Sequence, residues 1–400
     1  MTPGAMDVVV VGGGVIGLGI AWRSALAGLR VQVLDPGLAG RPDRPAPPGP
    51  DAKWASWAAA GMLAPVAEIH YGEETLLALN LDAAARWPAF AAELEELSGL
   101  PVGYRRTGTL LIARDADDNA ALEDLYRYQL GVGVEVERLG SRACRELEPR
   151  LSPRVRGGVH VPGDHQVDNR ALVVALGAAC GRAGVTFTAE GAAEVVVERG
   201  RAAGVRLASG GTVAAGATVL AAGCWSGSVG GLPDGLLPPV RPVKGQLLHL
   251  RGPASPPLLD RVLRGLDVYL VPRADGRVVV GATSEERGFD TVPTAGAVHD
   301  LLRDAVELLP DVAELAFEEV ATGLRPASPD NAPLLGPSGL DGLVVATGHY
   351  RNGILLTPAT AETIAELLTT GETPKVIAPF DPGRLRPAAE AAATATGGRP

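Results

Sequence analysis

Near the start of the chain, Gly12-x-Gly14-x-x-Gly17 follows Val8-Val9-Val10-Val11 and opens a helical stretch running to about Gly28. In this pattern Gly12 permits a tight turn, Gly14 lets the backbone approach a pyrophosphate, and Gly17 lets the helix pack closely on a sheet. The helix N-terminus, with Val15 and Ile16 in its first turn, turns N–H groups and a positive dipole end towards such an anion. Asp35 ends the next strand, Val31-Gln32-Val33-Leu34. Its carboxylate can accept hydrogen bonds from adenosine ribose hydroxyls and repels a 2′-phosphate, which disfavours NADP. Strand, spacing and acid together predict a dinucleotide site rather than an empty Gly-rich turn, without separating FAD from NAD.

A second set of candidates lies far downstream. Gly348-His349-Tyr350-Arg351-Asn352-Gly353-Ile354-Leu355 carries a cation and a Gly-containing turn ahead of Thr357, read as an N-cap, with Pro358 at the first helical position and Gly371 closing the helix. Backbone amides and a helix dipole are thereby available to a group that gains negative charge. In Thr322-Gly323-Leu324-Arg325-Pro326 the end of an apolar strand presents one guanidinium, a planar fork that binds a carboxylate bidentately. On the residues alone, a surface pair of Arg325 with Glu318 or Glu319 is the plainer reading. Tyr269 alternates out of the apolar Val268-Tyr269-Leu270-Val271 and offers a hydroxyl, although most strand tyrosines only pack. His349 reads as structural and Lys244 as a strand-end residue. The histidines show no metal-ligand spacing, His160, Asp164 and His165 included, so no metal is expected.

The elements that must position these groups follow from size and pattern. Four hundred residues, 46% of them hydrophobic, suit two lobes around a large core. Thirty-six basic against 46 acidic residues, a formal charge of −10, exclude a basic stripe for nucleic acid or an anionic membrane. Three widely spaced cysteines, Cys144, Cys180 and Cys224, fit a reducing cytosol. The apolar run from Val8 to Trp22 lacks a basic leader and a cleavage site and is too short to span a bilayer; Met6, just before it, is a candidate initiator. The Pro- and Gly-rich stretch from Pro36 to Lys53 reads as an inserted surface loop. Helices are predicted over Thr75–Leu97, Ala116–Gln129 and Leu301–Leu309, and strands over Val240–Leu250, Val268–Val271 and Arg277–Val280. Glu194 to Leu220 reads as a meander broken at Arg199-Gly200 and Ser209-Gly210-Gly211, ending in the buried run Thr218–Ala222.

Ser56-Trp57-Ala58-Ala59-Ala60-Gly61-Met62-Leu63, the Leu324-Arg325-Pro326 turn and the Gly348 to Leu355 segment together resemble the FAD-dependent D-amino-acid oxidase superfamily, and within it the branch that oxidises glycine for thiamine thiazole synthesis. The resemblance spans roughly residues 6–380 and rests on the order and spacing of these segments more than on any one of them; the Pro-rich stretch departs from the pattern. It implies a doubly wound, Rossmann-like FAD-binding α/β domain assembled from 6–85, 151–226 and 322–383, an inserted antiparallel-sheet substrate domain from 86–150 and 227–321, and a tail over 384–400. It implies that Ala55, Ser56, Ala60, Gly61 and Met62 lie against the flavin, where the residues alone read equally well as an Ala-rich helix start. His349 to Leu355 would complete the flavin site, Arg325 and Tyr269 would clamp a substrate carboxylate, and Arg351 would stand beside ring and substrate, with Met62 near the reactive face. Ser328-Pro329-Asp330-Asn331 holds no thiol where covalently flavinylated members carry one, so non-covalent FAD is expected. The implied activity is hydride transfer from the Cα of glycine or another small amine to flavin, giving an imine (then glyoxylate and ammonia) and, with molecular oxygen, peroxide. Hand-off of the imine to a thiazole synthase is the further partner implied, while the choice between monomer and homo-oligomer is left open by the sequence. A sarcosine, proline or D-amino-acid dehydrogenase using another acceptor, and a non-catalytic dinucleotide-binding module, are the alternatives.

Overall fold

Val8 to Val11 is β-branched throughout, and such a run is stable where both strand faces are covered. In the computed structural model, which describes residues 6–38, 54–233 and 235–386, the Met6–Val11 strand lies at the centre of a sheet. Val8 and Val10 point into one apolar cluster with Leu18, Trp22, Leu172 and Ile364, while Val9 and Val11 point into another with Val195, Val205 and Leu220. The sheet runs Leu334–Pro337, Leu343–Thr347, Thr212–Leu220, Met6–Val11, Val31–Leu34 and Thr186–Thr188, parallel except for the first pair. Helices Val15–Leu26, Asn169–Arg182 and Thr357–Thr370 cover one face. The meander of Ala192–Glu198 and Arg201–Leu207 continues antiparallel from Thr212–Leu220 on the other side.

A second sheet runs Ala316–Ala327, Arg241–Arg251, Arg277–Gly281, Tyr269–Pro272, Val262–Arg264, Thr109–Ala113, Gly157–Val161 and Glu137–Gly140. It is antiparallel but for one join, Val262–Arg264 beside Thr109–Ala113. Alternation gives it two unlike faces. Leu248, Leu250, Leu263, Leu270, Val278 and Val280 pack with Leu301, Ala305 and Leu308 of the helix Ala295–Leu308. Leu247, Val271, Val279 and Ala321 face Ala58 and Ala60, with Met62 and Tyr269 at the edge. A mixed α/β architecture of a doubly wound sheet plus a largely antiparallel one is therefore present.

The expected segment boundaries cut through continuous elements. One at 85/86 falls within the helix Glu74–Ser98, which runs through Pro88, and one at 321/322 falls within the strand Ala316–Ala327. Gly157–Val161, placed by sequence with the first domain, hydrogen-bonds in the second sheet. The start of the last helix also differs: Leu356 occupies the cap position, and the Thr357 hydroxyl donates back to the Gly353 carbonyl at 2.8 Å. Most of the loop expected at 36–53 and of the tail at 384–400 lies outside the described residues; Pro36–Leu38 forms a short 3-10 turn. Among the described residues no helix is long and apolar enough to cross a membrane.

Candidate active site

The first turn is built by close approach. A Cβ on Gly17 would sit 1.9 Å from the Gly12 carbonyl oxygen, and one on Gly12, whose φ is +113°, would sit 2.3 Å from that of Ala221. No side chain fits either place, so strand, turn and helix are drawn together. Gly14 precedes the helix Val15–Leu26, and the Val15 N–H donates to the Ser56 hydroxyl at 3.1 Å. Asp35 is 9% exposed; its two oxygens accept from the Gly13 and Gly37 N–H groups, each at 2.7 Å. Burial pushes its carboxyl above the usual range, and the two N–H groups hold it down.

One continuous cavity of about 660 Å³ runs from this turn to the second sheet. Gly12, Gly14, Val15, Ile16 and Asp35 line its near end; Ala55, Ser56, Ala60, Gly61 and Met62 line its middle; His349, Tyr350, Arg351, Gly353 and Ile354 line the wall opposite; Tyr269 and Arg325 line its far end. Three expected contacts fall elsewhere. Gly17 packs beneath the turn, and Leu355 is buried, its carbonyl accepting from Trp87 Nε1 at 2.8 Å. Asn352 faces a smaller neighbouring cavity with Glu68, His70, Glu73 and Arg351.

At the far end, sheet register brings distant residues together. Arg264 stands opposite Tyr269, Tyr269 opposite Gly281, and Gly281 opposite Leu247, which pairs with Ala321; alternation puts Arg325 on that same face. Glycines make room there. A Cβ on Gly245 would lie 2.6 Å from both terminal Arg325 nitrogens, and one on Gly281 would lie 2.5 Å from the Tyr269 hydroxyl. Arg325 Nη1 donates to the carbonyls of Thr283 at 3.0 Å and Lys244 at 3.4 Å. Glu318 and Glu319, the alternative partners, are taken by Arg251 and Arg170. Arg325 thus keeps its charge uncompensated by either acid. Burial pushes the Tyr269 phenol up to about 12, against the pull of Arg325.

Arg351 is exposed, stacked over the Tyr350 ring at 5.0 Å and 3.2 Å from His70 Nε2, between the two cavities. His349 is 3% exposed, its Nε2 lies 3.1 Å from the Thr360 hydroxyl, and burial pulls it down to about 3. Lys244 is fully buried and spends its ammonium on Asp290 and the Val292 carbonyl, outside the cavity lining. Asp164, considered for a metal, accepts instead from the Val66 and Ala67 N–H groups. Cys224 lines the cavity, with burial pushing its thiol up to about 12.

Sequence reasoning did not find the group that shapes the middle segment. Arg273, 5% exposed, donates to the Ala60 carbonyl at 2.6 Å, to Asn169 Oδ1 at 3.2 Å and to Gln166 Oε1 at 3.1 Å. Asn169 in turn donates to the carbonyls of Ser56 at 2.9 Å and Trp57 at 3.0 Å. A buried guanidinium and an amide thereby fix the path of Ser56 to Met62. Gly61, at φ +72°, leaves no room for a Cβ against the Val167 carbonyl oxygen, 2.0 Å away.

The cavity lining fits FAD: a backbone cradle at a helix N-terminus, an acid at the end of the next strand, and a middle segment of small side chains. The family model described as FAD dependent oxidoreductase matches residues 7–367. A glycine oxidase of Geobacillus kaustophilus (strain HTA426) is 36% identical over 377 residues, covering 94% of this chain and 96% of that protein. A bifunctional protein ThiO/ThiG of Trichormus variabilis is 36% identical over 396 residues, 95% of this chain but 55% of its own; the chain spans about half the length of such bifunctional relatives. The crystal structure of glycine oxidase from Geobacillus kaustophilus superposes with a TM-score of 0.84 at 35% identity, covering 94% of this chain and 98% of that one.

Proposed function

Because the chain belongs to the FAD dependent oxidoreductase family, we propose that it oxidises the amine of glycine, and of other small amino acids, with molecular oxygen as acceptor. The observation that carries the reading is that Arg325, free of Glu318 and Glu319, and the Tyr269 hydroxyl share a cavity with the Gly12–Gly17 cradle. FAD, bound non-covalently, supplies the two-electron acceptor for a hydride from the substrate Cα. Arg325 holds the substrate carboxylate and neutralises it, while Tyr269 donates one further hydrogen bond. Gly14, Val15 and Ile16 would hold the pyrophosphate of bound FAD, Asp35 its ribose, and Ala60, Gly61 and Met62 would pack against the flavin. Gly353 and Ile354, which line the cavity ahead of the last helix, would offer backbone amides to the flavin. Arg351 adds charge at the mouth. His349 takes no part in proton transfer here, because it is buried as the neutral imidazole against Thr360 and no acid–base residue is required when the amine enters neutral.

The imine leaves as glyoxylate and ammonia after hydrolysis, or passes on to thiamine thiazole synthesis. The second fate is supported by the ThiO/ThiG relatives, in which a sequence like this one makes up about half of a bifunctional chain. Anaerobic addition of glycine to the flavin-loaded protein tests the activity: bleaching of the yellow absorbance is expected, and a flavin that stays oxidised with glycine, sarcosine and D-alanine alike overturns it. Oxygen uptake measured against dye reduction separates an oxidase from a dehydrogenase.

A further inference from the structure

A second guanidinium reaches the far end of the cavity, and it is capped. Arg264 Nη1 donates to Glu68 Oε1 at 2.8 Å, with both side chains mostly buried, and both line the cavity that holds Tyr269 and Arg325. Register sets Arg264 directly across from Tyr269, so their side chains emerge side by side on the cavity face. Glu68 is not a wandering surface acid. Its segment is clamped by Asp164, which accepts from the Val66 and Ala67 N–H groups at 3.2 and 2.9 Å, and by Gln129, which donates to the Val66 carbonyl at 3.1 Å. The other acid at this end, Asp267, is exposed and pairs with Arg114.

At this end Arg264 and Glu68 cancel and Arg325 remains; the cavity's other guanidinium, Arg351, stands exposed against Tyr350 and His70 towards the neighbouring cavity. A far end with one uncompensated cation accepts one carboxylate on a neutral amine. We propose that Glu68 is a specificity-determining residue that masks Arg264, and that the Arg264 guanidinium is a latent second carboxylate site for dianionic amino acids, of which N-carboxymethyl glycine is the simplest. The inference rests on the reading of Arg325 and Tyr269 as the carboxylate clamp. A second carboxylate entering the native cavity meets Glu68, a like charge in a largely desolvated place. With Glu68 shortened, the same carboxylate meets a guanidinium that has lost its partner, the stronger of the two situations in which a buried ion can be left.

Sarcosine and iminodiacetate are the probes, because both are N-substituted glycines and differ by one carboxylate. The ratio of kcat/KM for iminodiacetate to that for sarcosine is measured in the flavin-loaded wild type, in Glu68→Ala and in the double variant Glu68→Ala/Arg264→Gln. A rise of about tenfold or more in Glu68→Ala, returned to the wild-type ratio in the double variant, is expected. An unmoved ratio, or one raised equally in the double variant, overturns the proposal. A Glu68→Ala enzyme whose pH limb shifts while its ratio stands still overturns it too, since Glu68 would then act on the amine. Displacement of the flavin spectrum by acetate and by malonate in the wild type reads the same filter without any variant: acetate should bind about tenfold more tightly, and malonate binding as well as acetate overturns it. Wild-type protein that ignores glycine while still preferring acetate would instead fault the activity proposed above and leave the charge filter standing.

Discussion

At one end of the cavity, Gly12, Gly14 and Val15 offer backbone from a single turn; at the other, Arg264, Tyr269 and Arg325 come from three strands and offer side chains. The first end is held by covalent neighbours and by contacts too close for any Cβ. The second is held by register, with Gly281 directly across from Tyr269 and Gly245 diagonal to Arg325, leaving room for a phenol ring and a guanidinium. Damage to the two ends should therefore separate: a change in the turn removes the cofactor and the packing together, whereas a change on the sheet face spares both and weakens the substrate.

Gly17→Val is the strongest way to test the first half. Its side chain would begin 1.9 Å from the Gly12 carbonyl oxygen, backbone that cannot yield without separating helix from sheet. The cost should exceed the ~1–3 kcal/mol usual for overpacking, with flavin lost on gel filtration and a lower Tm. Arg325→Ala should instead keep its flavin and its Tm but lose about 2–5 kcal/mol in kcat/KM for glycine, roughly thirtyfold to a few thousandfold. Wild-type-like capture of glycine by that variant removes Arg325 from the site. Loss of flavin in it would break the division between the two ends.

The two ends also differ in how far they could be read from the sequence. Gly12, Gly14, Gly17 and Asp35 lie within one strand-helix-strand unit, so their spacing along the chain is their spacing in the fold. Arg325 and Tyr269 could not be joined in that way. Which strand lies beside which, and in what register, is decided by packing that no local pattern records, so the residues alone favoured a surface pair for Arg325 and packing for Tyr269. Gly245, Gly281 and the Arg264–Glu68 pair were missed for the same reason: each has meaning only against a residue brought beside it from elsewhere in the chain. Other omissions had a visible signal. Asp168 caps the helix Asn169–Arg182, accepting from the Arg170 and Ala171 N–H groups, and an acid before an apolar periodic run marks such a start. The short strands Thr109–Ala113, Gly157–Val161 and Glu137–Gly140 show no sustained alternation: the first is buried throughout, the second at all but His160, and the third only at Leu139, patterns too short to tell from a helix or a loop.

Gly245→Ala sharpens the comparison from the side of the missed residues. The added methyl would stand 2.6 Å from both terminal nitrogens of Arg325, the far end of a flexible side chain, so the guanidinium should move rather than the sheet. We expect KM for glycine to rise by a factor consistent with about 1–3 kcal/mol, with flavin content unchanged. Unaltered KM would mean that Arg325 can bind a carboxylate from another rotamer, and that register matters less at this end than the close approach of Gly245 suggests.

Tyr269→Phe should have the smallest effect, because it keeps the ring that fills the space beside Gly281 and deletes one donor. A hydrogen bond of this kind contributes about 0.5–1.5 kcal/mol, so kcat/KM should fall between roughly twofold and tenfold. The pH profile adds a sharper discrimination. Burial holds the Tyr269 phenol protonated until about 12 and keeps His349 neutral down to about 3, so neither changes charge between about pH 6 and 10. The neutral fraction of the substrate amine increases with pH, and turnover should rise through the substrate ammonium pKa in wild type and variant alike. Tyr269→Phe then lowers the whole curve without displacing its rising limb. If the limb disappears in the variant, the phenol takes the proton from the amine; the sheet face would then be chemistry as well as recognition, and the contrast with the backbone cradle would have to be redrawn around that transfer.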